Sequence, residues 1–185
     1  MNKLIKKKTI FKISGKRILI SDFKLNDIDG NYISWLNDPY VMRFSNQRFT
    51  THTKKTCKVF FNSINNSGDH LFLITLKKTG EKIGTMTVHI FKNHKTADIG
   101  ILIGKKKFWG QGLGEEAWNL VMNYLLKKKS FRKVTGGSLS CNKGMIKIFK
   151  KTGMKIDGVR KSHELLNNKT YNIVHYAKFK NDKKQ

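Results

Sequence analysis

Apolar residues recur along this chain at the spacing of a strand in some stretches and of a helix in others. The switches between the two rhythms predict an order of elements. Residues 17–21 read as a short apolar strand. Ile28, Tyr32, Trp35 and Leu36 then repeat at helical spacing, which predicts a helix that stops before Pro39. Cys57, Phe60, Phe61 and Ile64 share one face of a second helix over about 53–64. Strands follow at 71–76, 82–91 and 96–103, separated by Lys78-Thr-Gly-Glu81 and Lys92-Asn-His94, so an antiparallel meander is expected. Ala117, Leu120, Val121, Tyr124 and Leu125 line one face of a long helix reaching about Lys128. A strand at 134–139, a short helix at 142–152 closed by Gly153, and strands at 155–159 and 171–179 complete the chain. The order β-α-α-β-β-β-α-β-α-β-β places the fold in the α/β (α+β) class. No repeat, low-complexity block or proline-rich linker interrupts it. One domain over 16–180 behind a basic lead-in at 1–15 is therefore expected.

The junction at 99–117 carries the most chemical information. Ile99, Ile101, Leu102 and Ile103 read as a largely buried strand, and glycines at 110, 112 and 114 lead from it into the long helix. Glycines let backbone N–H groups approach a ligand, and beside the positive end of a helix they make a phosphate seat. Lys105, Lys106 and Lys107 add charge next to it. Glu115 stands where a dinucleotide-binding fingerprint would continue toward its third glycine. No Gly-Lys-Ser/Thr is present for a Walker loop. The residues alone leave two readings open, a phosphate seat and a tight structural connection.

Phe108-Trp-Gly-Gln-Gly-Leu-Gly-Glu-Glu-Ala117 resembles the acetyl-CoA-binding motif of the GNAT superfamily of N-acetyltransferases. Its Trp-Gly-x-Gly form is similar to the branch containing the ribosomal-protein N-terminal acetyltransferases (RimJ/RimL type), with Trp109 where Arg or Gln is usual. Asn142-Lys-Gly-Met-Ile-Lys-Ile-Phe-Lys-Lys-Thr-Gly-Met154 resembles a later element of the family, with Met154 replacing Phe. Trp35-Leu-Asn-Asp-Pro-Tyr-Val-Met-Arg43 and Gly158-Val-Arg160 resemble further motifs of the same branch. The likeness spans about 16–179. It implies the acyl-CoA N-acyltransferase fold, a central, mixed, mostly antiparallel twisted sheet flanked by helices.

The resemblance also implies roles. In this family an amine attacks the thioester directly, so the protein orients the thioester, accepts the amine's proton and stabilises the departing thiolate. The backbone of Ile101 and Ile103, with Leu102 between them, is expected to run beside the pantetheine arm. The turn Trp109, Gly110, Gln111, Gly112, Leu113 and Gly114 is expected at the pyrophosphate, with Lys107 and Asn142 also on the cofactor. Phe149, also expected at the cofactor, stands where many members carry a tyrosine that protonates the thiolate, which leaves open Tyr171, Tyr176 or water as the donor and a thiolate that departs with none. Asp98 and His89 are the candidate bases, ahead of Glu81 and His163. Trp35, Asn37, Arg43, Arg48 and Phe49 are the candidate acceptor residues.

Charge enlarges the list of partners without choosing among them. Thirty-eight Lys+Arg against 12 Asp+Glu give a net charge of +26, which draws anionic partners of any kind. The lysines are scattered and do not interleave with aromatics as an RNA-binding surface would, so nucleic acid is not the expected partner. Nowhere do 18 apolar residues run together, so no membrane span is expected. The N-terminus lacks the apolar core of a signal peptide. Cys57 and Cys141 offer neither a metal-ligand spacing nor a disulfide framework, so no metal site and a cytoplasmic setting are expected. The expected activity is acetyl transfer from acetyl-CoA to a small-molecule primary amine, such as a nucleotide-linked amino sugar. The alternatives are a protein N-terminus as acceptor and, from another class, a non-catalytic nucleic-acid-binding module on the same scaffold. Monomer and homodimer both fit.

Overall fold

A computed structural model of the chain describes residues 11–129 and 131–182. Its frame is one eight-stranded sheet. In chain order the strands are β1 (Lys12–Ser14), β2 (Ile18–Asp22), β3 (His70–Leu76), β4 (Lys82–Phe91), β5 (Thr96–Ile103), β6 (Lys133–Leu139), β7 (Lys155–Leu166) and β8 (Lys169–Phe179). Spatially they run β1-β2-β3-β4-β5-β6-β8-β7, and every neighbouring pair is antiparallel except β5–β6. The helices are α1 (Gly30–Asn37), α2 (Pro39–Met42), α3 (Lys54–Ser67), α4 (Leu113–Asn123), continued by a π-helical turn at Tyr124–Lys128, and α5 (Lys143–Lys151). This is the mixed, mostly antiparallel α/β sheet flanked by helices that the sequence implied.

Alternation along the central strands divides the core between the two faces of the sheet. Phe72, Ile74, Met86, Val88, Ala97 and Ile99 point to one face, where they pack with Trp118, Val121 and Leu125 of the α4 segment and Phe149 of α5. Leu71 and Leu73 point to the other, where they meet Tyr32 and Trp35 of α1, Met42 of α2, and Cys57 and Ile64 of α3. Trp35 lies flat on the backbone just past β5. A Cβ at Gly104 would fall 2.1 Å from its ring, so only glycine fits there.

Two elements, and the extent of a third, were not visible in the pattern. The expected lead-in at 1–15 contains β1, whose three residues pair with β2; residues 1–10 lie outside the described residues. Asp38 caps the four-residue α2, accepting from the N–H groups of Tyr40 and Val41, with Pro39 preset for a first helical position. Finally, β7 runs to Leu166 rather than stopping near 159, with register shifts at Ile156/Gly158 and Arg160/Glu164. It is an edge strand exposed along most of its length, so no buried face imposes alternation on it.

Candidate functional site

The two strands of the single parallel pair separate. Thr96, Ala97 and Asp98 of β5 pair with Lys133, Val134 and Thr135 of β6, and the ladder ends there although both strands continue. From Ile99 to Ile103 the β6-facing edge of β5 therefore carries backbone groups with no strand partner. A cleft of about 500 Å3 opens between the strands, bounded by β5, the glycine turn, the start of α4, and α5.

The turn has the conformation its glycines predict. Gly110 and Gly112 adopt φ of 75° and 76°, a region costly for any residue with a Cβ. Asp29, Asp38, Thr53 and Asn142 cap α1, α2, α3 and α5 with their side chains. At α4 the cap position is Gly112, and among the described residues no side chain caps the first-turn N–H groups. Those donors need an acceptor from elsewhere, and the dipole favours an anionic one.

Side chains hold the turn from outside. Arg17 donates from Nη1 to the Gln111 carbonyl at 2.7 Å and from Nε to Glu116 at 2.8 Å. Burial raises the Glu116 pKa, but the hydrogen bonds and charge of Arg17 outweigh it and hold this carboxyl below its ordinary value. Trp109 donates its indole N–H to the Ile103 carbonyl at 2.7 Å and stacks on Tyr40.

All the expected cofactor residues line this cleft except Lys107, Gln111 and Phe149. Lys107 and Lys105 both pair with Glu81, at 2.9 and 2.6 Å, and Lys106 pairs with Asp38 at 2.8 Å, so the loop lysines spend their charge on nearby acids. Gln111 reaches back to the Lys107 carbonyl. Phe149 is fully buried between Trp118 and Tyr176. Tyr176 is thereby a core residue, and Tyr171 lies on the outer hairpin opposite Glu164. Sequence reasoning missed Lys143, Lys147 and Lys151 of α5, which also line the cleft. Their spacing of four was visible, but so many lysines occur that it did not stand out.

On the opposite face of the sheet is a cavity of about 360 Å3, bounded by α1, α3, the 45–52 segment, β4 and β5. Ile101 and Leu102 line both cavities, so the two meet at β5. Thr85, Thr87 and His89 of β4 form part of its floor, opened by the missing side chain of Gly100. His89 Nδ1 lies 2.8 Å from Asp69 Oδ2, while Asp69 Oδ1 accepts the Ile90 N–H. Burial opposes the Asp69 charge, but bonds from Ile90, His89 and Ser67 outweigh it and keep this carboxyl below its ordinary value. Ser45, Gln47, Thr50, His52 and Thr56 supply hydroxyl, amide and imidazole groups, and among the described residues no aspartate or glutamate lines the cavity. Burial pushes the Cys57 thiol up, so it lines the cavity as a neutral group.

Asp98 sits opposite His89 in the β4–β5 register and accepts the Thr135 hydroxyl at 2.6 Å, but it lines neither cavity. Of the five expected acceptor residues none lines the 360 Å3 cavity. Trp35 is in the core. Asn37 bridges both backbone polar groups of His52, holding the 50–53 segment on α1. Arg43 lies over the rings of Tyr40, Phe44 and Trp109 and lines the cleft instead. Arg48 donates to the Leu165 carbonyl, clasping the tip of the β7–β8 hairpin, and Phe49 is 76% exposed. Among the described residues no group of three or more His, Cys, Asp or Glu is placed to hold a metal ion, and no helix is long and apolar enough to cross a membrane.

Comparison with known proteins agrees with this geometry. A family model described as an acetyltransferase (GNAT) domain matches residues 17–155. An uncharacterized protein of Methanocaldococcus jannaschii is 27% identical over 139 residues, 75% of this chain, which spans 28% of that longer protein. The uncharacterized N-acetyltransferase YnaD of Bacillus subtilis is 24% identical over 167 residues, covering 89% of this chain and 95% of YnaD. Among solved structures, a GNAT-family acetyltransferase from Bacillus anthracis superposes with a TM-score of 0.79 at 20% identity, covering 93% of this chain and 100% of that one. RimL, a ribosomal L7/L12 alpha-N-protein acetyltransferase in complex with coenzyme A, gives 0.80 at 15% identity over 92% and 97%. A spermidine N-acetyltransferase from Vibrio cholerae in complex with CoA and spermine gives 0.78 at 13% identity over 89% and 96%. At these identities the structural likeness is one of fold.

Proposed function

The chain belongs to the GNAT acetyltransferase family, and from that premise we propose that it transfers acetyl from acetyl-CoA to the primary amine of a small molecule, a nucleotide-linked amino sugar. One observation carries this reading: a cleft with uncapped helix donors and a cavity floored by His89 share the residues Ile101 and Leu102. A donor and an acceptor seated on the two sides would meet at β5.

The cleft suits acetyl-CoA. The unpaired edge of β5 offers backbone groups to an amide-bearing arm, and the first turn of α4 offers N–H donors to a pyrophosphate. Acetyl-CoA would supply an activated thioester, whose C–S bond breaks as the amine nitrogen bonds to the carbonyl carbon. Arg17 keeps the glycine turn in place through the Gln111 carbonyl.

We assign His89 as the base and Asp69 as its positioning residue. With Nδ1 donating to the Asp69 carboxylate, Nε2 is left as the acceptor of the amine's proton. The carboxylate fixes the ring's tautomer and stabilises the imidazolium as it forms. Asp98 stands behind as an orienting charge on the same sheet face, held by Thr135. No candidate proton donor from the sequence reading lines the cleft, and a CoA thiol is a tolerable leaving group near neutral pH.

The acceptor is argued from lining chemistry. Hydroxyl, amide and imidazole groups suit a sugar, whereas a polyamine would require carboxylates, and among the described residues none lines the cavity. The net charge of +26 attracts a nucleotide diphosphate and repels a polycation. A protein N-terminus is the competing acceptor, since the same charge would bring the protein to ribosomes. Incubation with acetyl-CoA and, separately, an amino-sugar nucleotide, an N-terminal peptide and spermidine, read by mass spectrometry, decides among them. Acetylation of the sugar nucleotide alone is expected; acetylation of the peptide alone would replace this acceptor with the competing one.

A further inference from the structure

The loop lysines beside the glycine turn are occupied, whereas two lysines on the opposite wall are not. Lys105, Lys106 and Lys107 are each paired with a carboxylate. Lys143, Lys147 and Lys151 stand four residues apart on α5 and all three line the cleft. They also line an adjoining open groove of about 320 Å3 with Ser140, Ile146 and Lys150. Lys151 is 3.1 Å from Glu115, and Lys143 and Lys147 have no acidic partner among the described residues. Three ammonium groups on one helix face repel one another, and the arrangement is relieved by an anion.

The row also lies at the right place relative to the turn. A Cβ at Gly114 would sit 3.2 Å from Ile148 Cδ1, so α5 runs against the first turn of α4. Lys147 precedes that contact directly, and Lys151 touches the first turn through Glu115. The row spans two helical turns, about 12 Å, with its Lys147–Lys151 end beside the uncapped donors and all three lysines lining both the cleft and the groove.

We propose that Lys143, Lys147 and Lys151 bind the 3′-phosphate of coenzyme A and so make this protein selective for CoA over its dephosphorylated form. The inference rests on the cofactor reading above. The uncapped N–H groups of α4 serve the pyrophosphate. The phosphate monoester on the neighbouring ribose carries close to two negative charges at neutral pH and needs cations a few ångströms further on. The α5 row supplies them with little competition from acids. Lysine suits this task as a flexible point charge at a half-open surface.

The test is calorimetric titration of the full chain with CoA and with 3′-dephospho-CoA, at low and moderate salt. The wild type is expected to bind CoA about tenfold more tightly at low salt, with the ratio narrowing as salt rises. In Lys143→Gln/Lys147→Gln the ratio is expected to fall to within about twofold, with the dephospho-CoA affinity unchanged, which separates loss of a phosphate contact from loss of folding. Equal binding of the two ligands by the wild type, or an unchanged ratio in the variant, overturns the inference and leaves the cofactor reading standing. Binding of neither ligand by the wild type overturns both.

Discussion

His89, on the floor of the 360 Å3 cavity, and Asp69, just before β3, form a carboxylate–imidazole pair at 2.8 Å that joins the start of β3 to the end of β4. If His89 takes the amine's proton, His89→Gln lowers kcat by about a hundredfold or more and leaves the acetyl-CoA affinity unchanged. Asp69→Asn keeps an acceptor for the Ile90 N–H but weakens the orientation of the ring, so a smaller loss of about tenfold is expected. Steady-state kinetics with calorimetry on both variants checks this. Wild-type kcat in His89→Gln would remove His89 from the chemistry.

Gly112 has a φ of 76° at the uncapped start of α4. Gly112→Ala places a Cβ in that left-handed conformation at a cost of about 1–2 kcal/mol. Relaxation of the turn then disperses the N–H groups that would meet the pyrophosphate. Acetyl-CoA affinity is expected to fall at least about tenfold, with a lowered Tm. Calorimetry and thermal melts on one preparation read both.

Phe149 tests how far a motif position can be translated into chemistry. Its ring is fully buried between Trp118 and Tyr176. Phe149→Tyr would put a hydroxyl into an apolar contact, costing about 1–3 kcal/mol if it stays unbonded. The expected result is a lower Tm with no gain in kcat. A gain would show that a hydroxyl here reaches the departing thiolate.

Glu116 ties the turn's stability to pH. Its carboxyl is held below its ordinary value in the fold, so its contribution is complete above the unfolded pKa of about 4.3 and is lost as pH falls through the folded value. Arg17 is nearly half exposed, and solvent screens the pair, so Glu116→Gln is expected to cost about 1 kcal/mol at neutral pH. The Tm difference from wild type should shrink below about pH 4 and vanish under further acidification. Thermal melts across pH read the trend, and a difference that grows in acid would contradict the assignment.

Regular burial made most of the fold legible. The meander β3–β5 could be placed because its apolar runs are covered on both faces and bounded by turn residues, and α4 because it buries one face at helical spacing. The edge strands β1 and β7 lack that constraint, and their extents were not readable. At the site, the glycine turn was legible because backbone chemistry depends on glycine spacing. Pairings between distant residues were not: Asp69 stands 20 positions from His89, and Asp38 stands 68 from Lys106. Trp35 and Asn37 belong to a motif near the 360 Å3 cavity, yet one packs on Gly104 and the other holds the 50–53 segment. Proximity in sequence to a site does not say which way a side chain faces.

The central claim is that the open edge of β5 and the turn before α4 seat acetyl-CoA. Backbone amide NMR of the isotopically labelled protein titrated with acetyl-CoA tests it most directly. The account predicts shift changes concentrated at Ile99–Ile103 and Gly110–Gly114, the segments bounding the cleft. A spectrum unchanged at those amides, or changed only in other parts of the sheet, would contradict it.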